Sequence, residues 1–424
     1  MSVPGWENFL PSGASRGTGG RVRRCRVSKI PYLALFSAMS LSQSHGLGIE
    51  FTYHDPEVLA RGNAGVASNT NASAVYYNPA MLGAGEGSDL LITGYVLDYK
   101  VDHTGPGGHT DLKDGPAVAA SAFASTPLWD GASLGLGFYS PFGQKNEWEE
   151  NSPLRAFATD TELLFMAGTA ALGFEVTPSL RFGVSLSVTS SSADINRGIV
   201  VSGDRFSIEG DGNGWGAGAG FTWEPIKGHT LGGTVRYWSP VTYKGHSTTV
   251  LIFPAPGSAV APAESELEFP LEATLGYAWT PNEKWIVEFD ATYTEWSSFD
   301  QFALQSPTGT LVEPLLWEDS FTIGTGVTRK WDSGWWVGAG YWFAEKTTPD
   351  VAFNPRLPDV DLHVGSVGTG YRTECWAAEF TYQYGYGEPR QISGGAPLPP
   401  TGVTANGKLN YHAHGFSAGV RWFW

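Results

Sequence analysis

The sequence predicts an all-β protein: a transmembrane antiparallel β-barrel of about fourteen strands, with an N-terminal segment placed as a hatch (plug) inside the lumen. Three observations carry this expectation. The 424 residues include 55 Gly, 17 Trp, 17 Tyr and 23 Phe, a composition suited to strands and tight turns and unlike the Leu- and Ala-rich helices of an ordinary soluble domain. From Ser88 onward, apolar and polar side chains alternate, which is the two-residue period of a strand with chemically different faces. The connections between these segments alternate between short and long, as in outer-membrane barrels with short periplasmic turns and long outer loops.

Residues 1–45 read as a signal peptide. A basic patch (Arg21, Arg23, Arg24, Arg26, Lys29) precedes the apolar run Ile30 to Leu41, which ends in Ser42-Gln43-Ser44-His45-Gly46, the order of a cleavable secretory leader. That run is near a dozen residues, whereas a spanning helix needs roughly 20. Removing residues 1–45 discards six basic residues and one acid and moves the net charge from −16 to about −21. Such a surface excludes nucleic acid as a partner. Cys25 precedes the apolar run instead of following it, which argues against a lipid anchor. With Cys25 in the leader and Cys375 the one cysteine beyond it, no internal disulfide is expected.

Residues 46–87 do not alternate and hold the small-polar stretch Arg61-Gly62-Asn63-Ala64-Gly65-Val66-Ala67-Ser68-Asn69-Thr70-Asn71-Ala72-Ser73. A stretch so poor in large apolar residues builds no core of its own: it is either a disordered leader or a segment packed inside something larger. A barrel of about fourteen strands has a lumen wide enough to need such a plug. Residues 88–424 form the barrel. In residues 181–189, Phe182, Val184, Leu186 and Val188 alternate with Arg181, Gly183, Ser185, Ser187 and Thr189; residues 285–294 and 376–386 repeat the pattern. Tight turns are expected near residues 126–131, 175–179, 224–228, 280–283, 330–334 and 372–374. Long loops are expected near 102–115, 141–160, 196–212, 245–262, 304–316, 347–361 and 388–407. This interleaving gives fourteen strands with both ends on the short-turn side. The last strand alternates Phe416, Ala418, Val420, Trp422 and Trp424, and its terminal aromatic resembles the signal read by the outer-membrane assembly machinery.

The stretch Ala74-Val75-Tyr76-Tyr77-Asn78-Pro79-Ala80-Met81-Leu82, preceded by Arg61 to Gly65, resembles the hatch of the FadL-type outer-membrane transporters of long-chain fatty acids and aromatic hydrocarbons. Further matches follow in the family's order: Tyr139-Ser140-Pro141-Phe142-Gly143 with Trp148 and Arg155, Gly210 to Gly216, Thr294 to Asp300, Trp317-Glu318-Asp319, and Leu357 to Asp361 after Thr348-Pro349. The resemblance implies passive uptake of hydrophobic molecules: capture in an outer groove, transfer to an apolar pocket, and lateral escape at a kinked third strand. It implies hatch and gating roles for Asn78, Pro79 and Ala80, ligand contacts for Phe142 and Trp148, and pairing of a ligand carboxylate by Arg155. The third strand is expected over Ala132 to Tyr139, closed by Pro141, with Gly135 and Gly137 permitting the bend. Leu251, Ile252 and Phe253 form the apolar tip expected at the capture site. The loop 196–212 is short and polar, whereas long-chain fatty acid transporters of the family usually have a longer apolar loop there, so the substrate's chain length stays open.

Other chemistry is weaker. Gly415-Phe416-Ser417-Ala418-Gly419 fits a nucleophile elbow, but it lies mid-strand where the strand-turn-helix bend is missing. His412 and His414 share a face without an evident third metal ligand, and of the weak calcium candidates Asp359, Asp361 and His363 the first two are accounted for by the resemblance. No catalytic residue, metal or cofactor is expected. The alternatives are a porin-type channel, which would lack a plug, and an outer-membrane hydrolase working through Ser417. The expected partners are a hydrophobic small molecule, outer-membrane lipid and lipopolysaccharide, and the assembly machinery, around a monomer.

Overall fold

A computed structural model of the chain describes residues 48–85, 87–113, 115–398 and 401–424; the expected signal peptide lies outside them. The wall is made of fourteen strands: β1 (Asp89–Gly105), β2 (Ala117–Trp129), β3 (Ala132–Glu147), β4 (Asp160–Thr177), β5 (Leu180–Arg197), β6 (Arg205–Ile226), β7 (His229–Trp238), β8 (Glu272–Asn282), β9 (Trp285–Thr294), β10 (Ser320–Lys330), β11 (Trp335–Ala344), β12 (Leu362–Arg372), β13 (Trp376–Ile392) and β14 (Gly407–Phe423). Each pairs antiparallel with its neighbours in sequence, and β14 returns to β1 from Asp89↔Phe423 to Thr104↔Lys408. Closure satisfies the backbone groups that an open edge would leave unpaired in lipid. The tight turns fall where the alternation placed them. Short hairpins extend the wall at the opposite end, including Val241–Leu251 with Gly257–Leu267 and Gln301–Ser306 with Gly309–Pro314.

The wall is apolar outside and polar inside. On β5, Leu186 and Val188 are 68% and 72% exposed, whereas Ser187 between them is 7% exposed; a soluble sandwich would reverse this. Nine exposed tryptophans, Trp129, Trp223, Trp279, Trp285, Trp331, Trp335, Trp376, Trp422 and Trp424, mark the short-turn end, as an interfacial aromatic girdle requires. On β13, Trp376 and Tyr386 both face outward. Ten residues at about 3.3 Å each, tilted by roughly 40°, separate them by about 25 Å along the normal, the height of the apolar band of such barrels.

Residues 48–85 run through the lumen, and within them only Thr70 is exposed. Two short helices, α1 (Pro56–Ala60) and α2 (Ala74–Tyr77), and a 3-10 turn over Pro79–Ala84 are its regular elements. Asp55 caps α1, accepting from the Glu57 and Val58 amides at 2.8 and 3.2 Å, and its second oxygen accepts from Asn71 and Ser73 at 2.6 Å each. Wall carboxylates hold the rest. Asp290 on β9 accepts from the Gly65 and Val66 amides (2.8 and 3.0 Å), Glu288 from the Ala67 amide (2.7 Å), and Asp89 on β1 from the Ala72 amide (2.9 Å). A segment without an apolar core of its own is thus held by polar bonds to its container and by apolar contacts of Val75, Tyr76, Met81 and Leu82 in a cluster shared with the wall.

Two expectations are corrected. The third strand does not end at Pro141: it runs to Glu147 through a bulge, where Ser140 and Pro141 stand opposite Met166 alone. Cys375 is disulfide-bonded, against the expectation of no internal disulfide. That expectation rested on removing residues 1–45, and Cys25 lies outside the described residues.

Candidate functional site

At the long-loop end, a cavity of ≈ 90 Å³ lies between the wall and the loops, lined by Ile49, Leu163, Leu267, Phe299, Trp317 and Leu357 among others. Above it opens a groove of ≈ 500 Å³ lined by Phe157, Phe206, Ile208, Leu311 and Phe353. Ile195, Phe302, Asn354 and Arg356 border both spaces, so the groove continues into the cavity. Burial of apolar solute surface makes such a path favourable for hydrocarbon chains and rings. Below the cavity, Phe142, Phe165, Trp238, Phe269 and Trp296 interlock with ring centroids 4.6 to 6.3 Å apart.

The seam between β2 and β3 is the second feature. Their ladder runs only from Trp129↔Ala132 to Ala122↔Phe138; past the bulge, β3 pairs on that side with the inner segment. The Gly143 amide donates to the Ile49 carbonyl (2.9 Å), and the Phe51 amide to the Pro141 carbonyl (2.7 Å). Behind this seam lies His54, fully buried, its Nδ1 2.9 Å from Ser121 Oγ and its ring against Tyr76, Tyr139 and Phe123. Burial, assisted by Arg236, lowers its pKa to about 3, so the imidazole is neutral near pH 7.

The expected site residues are dispersed. Arg155 donates to Asp204 Oδ1 (3.0 Å) and to the carbonyls of Asp204 and Glu150, joining two loops away from the apolar cavity. Asp204 sits below the usual carboxylate range: burial works against this, but the amides of Ile199, Val200 and Val201 and the Arg155 guanidinium outweigh it. Trp148 is buried and donates to the Pro355 carbonyl (3.0 Å), pinning the loop that carries Arg356. Phe142 belongs to the aromatic floor. Leu251, Ile252 and Phe253 are exposed at a hairpin tip. Asn78 is extended (φ −161°, ψ 106°), donates to the Val66 carbonyl (2.7 Å) and the wall carbonyl of Phe221 (3.1 Å), and caps the 3-10 turn through Ala80. Pro79 and Ala80 lie on Gly183 of β5, where a Cβ would come within 2.2 Å of the Pro79 carbonyl carbon. Gly135 and Gly137 lie beneath Val75: added Cβ atoms would meet its methyls at 2.4 and 3.0 Å. These two glycines therefore make room for α2, and the bend lies instead at Ser140 and Pro141.

Sequence reading missed Ile49, His54, Arg197 and Arg356. Arg356 donates to Glu313 (2.9 Å) and to the Phe157 carbonyl (3.2 Å), while Asn354 donates to the same Glu313 carboxylate at 2.6 Å. Nothing in the local pattern separates these residues from other polar residues in loops; the folding-in of residues 345–361 brings them to the cavity. Asp359 anchors that fold by accepting from the Thr347 and Thr348 amides (2.6 and 2.8 Å). Ser417 faces the lumen within an unbroken strand, and His414 faces outward, 2.9 Å from the Tyr382 hydroxyl.

The family model described as Outer membrane protein transport protein (OMPP1/FadL/TodX) matches residues 54–421. The long-chain fatty acid transport protein of Escherichia coli O157:H7 is 26% identical over 280 residues, 62% of this chain and 58% of that protein; the match thus spans less than two thirds of the relative. A crystal structure of a Pseudomonas aeruginosa FadL homologue superposes with a TM-score of 0.79 at 21% identity, covering 89% of this chain and 99% of that one. The Pseudomonas putida toluene transporter TodX gives 0.68 at 17% identity, covering 90% and 99%. At these identities the structural likeness establishes the fold.

Proposed function

Because the chain belongs to the OMPP1/FadL/TodX family of outer-membrane transport proteins, we propose that it moves hydrophobic small molecules passively across the lipopolysaccharide layer. The fatty acids and toluene of its relatives' names set the range of substrates. The outer groove captures the molecule, the cavity beneath receives it, and release is lateral, between β2 and β3. Residues 48–85 act as the hatch that keeps the lumen from conducting water, which disfavours an open porin.

One observation carries this reading. Ile49 lines the apolar cavity while its own carbonyl holds β3 at Gly143, beside the stretch where β2 and β3 are unpaired. A molecule entering the cavity therefore presses on the residue that occupies the unpaired edge. The test is uptake of labelled oleate and of labelled toluene by cells lacking other transporters of this kind. Phe299→Glu places a charge in the apolar cavity, which costs several kcal/mol of desolvation for an apolar occupant. Uptake of both should fall more than about tenfold with the folded, heat-modifiable fraction unchanged; uptake at wild-type rates would refute the route.

A further inference from the structure

At the short-turn end the lumen opens into a vestibule of ≈ 430 Å³, lined by the ends of β10 to β14 and by Glu57 of α1. Most of its charges are matched. Lys330 meets Glu57 at 2.6 Å, Arg421 meets Asp89 at 2.8 Å and Asp332 meets Lys284 at 2.5 Å, while Glu374 is exposed on its turn. Two opposite charges are left over. The Arg372 guanidinium has no hydrogen bond or ion pair among the described residues and lies over the Phe423 ring, 4.3 Å from its centroid. Glu379 is 4% exposed; its one ion contact is Arg421 at 3.9 Å, and its Oε2 has no hydrogen-bond partner. Beside them the Trp336 indole, also 4% exposed, has an Nε1 donor without an acceptor. Gly370 of β12 sets this arrangement: it pairs with Trp336 on one side and with Glu379 on the other, and a Cβ there would collide with Trp336 Nε1. The missing side chain leaves a cleft between indole and carboxylate, and Arg372 follows two residues on along the same face. Buried polar atoms are bonded as a rule, and each exception calls for a partner.

The geometry points to a binding site for a small zwitterion, a phosphate carried beside an ammonium as in an ethanolamine phosphodiester. The phosphate oxygens accept from the Arg372 fork and from Trp336 Nε1, and the ammonium donates to Glu379 Oε2. A simple anion would leave Glu379 unanswered and be repelled by it. A simple amine would leave Arg372 and Trp336 without an acceptor. Such a head comes either on a phospholipid of the inner leaflet or as a free glycerol diester, and the chemistry that recognises it is the same. The vestibule lies at the other end of the lumen from the groove and cavity, so the inference stands apart from the transport reading.

The test is equilibrium dialysis of the full chain in a nonionic detergent against radiolabelled glycerophosphoethanolamine, glycerol phosphate and ethanolamine. Wild type should bind the zwitterion about tenfold more tightly than either fragment, the scale of one hydrogen-bonded charge. Arg372→Gln should remove the advantage over ethanolamine, and Glu379→Gln the advantage over glycerol phosphate. Trp336→Phe should weaken both phosphates and leave ethanolamine unchanged, and Val337→Ala on the outward face should bind as wild type does. Native mass spectrometry of protein from mixed phosphatidylethanolamine and phosphatidylglycerol bilayers separates the sources. Retention of phosphatidylethanolamine over phosphatidylglycerol, lost in Glu379→Gln, assigns the lipid; equal retention with binding of the soluble diester assigns the free compound. Should a variant fail to fold, the three-ligand comparison on wild type still decides. Equal binding of the three ligands by wild type, or binding of none, overturns the inference and leaves the vestibule to water; so does a preference that survives both Arg372→Gln and Glu379→Gln.

Discussion

Two seams of the wall differ in a way their chain connections would not suggest. β1 and β14 are separated by nearly the whole barrel, yet they pair residue for residue over sixteen positions, from Asp89 to Thr104. β2 and β3 are joined by a two-residue turn, yet their ladder stops at Ala122↔Phe138. Sequence proximity favours the start of a hairpin but does not extend it. The extension depends on register, and the extra residue at the Ser140-Pro141 bulge redirects β3 toward Ile49 and Phe51. A continuous seam serves closure; an interrupted one leaves a wall edge that the inner segment covers.

The largest expected effect comes from making the two seams alike. Deleting Pro141 leaves Ser140 opposite Met166 and restores regular alternation, with Tyr139 and Phe142 still facing inward. β3 should then pair along β2, and uptake of labelled oleate should fall more than about tenfold while the barrel remains folded. Normal uptake by this variant would remove the seam from the route.

A smaller effect comes from unseating the covering segment. In Gly183→Val the new side chain meets Pro79 and Ala80, an overpacking cost of about 1–3 kcal/mol. Conductance to small ions in planar bilayers should rise several-fold, about the factor such a cost implies. Val184→Ala on the outward face of the same strand should leave it unchanged.

The continuous seam is probed at its end, where Ser88 and Trp424 exchange backbone hydrogen bonds of 3.0 and 3.2 Å. Deleting Trp424 removes two bonds, each contributing about 1 kcal/mol, and one aromatic of the girdle. The heat-modifiable folded fraction should fall without loss of secretion; full folding would show that the seam does not need Trp424.

The smallest expected effect is a pH dependence at the interrupted seam. His54 has a folded pKa of about 3, below the ordinary 6.5. Its contribution to holding the inner segment is therefore fully present above pH 6.5 and is lost as pH falls toward 3. Glu57 is lowered to about 2: burial opposes this, but Lys330 and Arg61 outweigh it. Its contribution is lost only below about pH 4.5; Glu50, which burial holds above the usual carboxylate range, also titrates above that point, so the comparison with a His54 variant carries the assignment. Conductance should rise modestly as pH falls from 6.5 to about 4.5, and His54→Gln should flatten the rise; identical profiles would detach His54 from the seam.

The legible parts and the hidden parts follow one division. Strand count, turn positions and facing were readable because alternation is local: the outward set Phe182, Val184, Leu186 and Val188 is written in consecutive residues. The polar stretch after Arg61 announced that it needed a container, and Asn78 before Pro79 announced an extended backbone. Glycine was misread: Gly135 and Gly137 suggested a bend, and the structure gives them to Val75.

By itself, then, the sequence determined a barrel of fourteen strands, apolar outside and polar within, with residues 46–87 unable to fold alone. Those properties depend on the order of neighbouring side chains and on the solvent each face meets. Tertiary structure decided which wall residues hold the inner segment, where the wall comes apart, and that Arg155 is engaged by Asp204 away from the apolar cavity. Each of these is a meeting of residues far apart in the chain, set by ring closure and by how the long loops fold inward, and no local period encodes it.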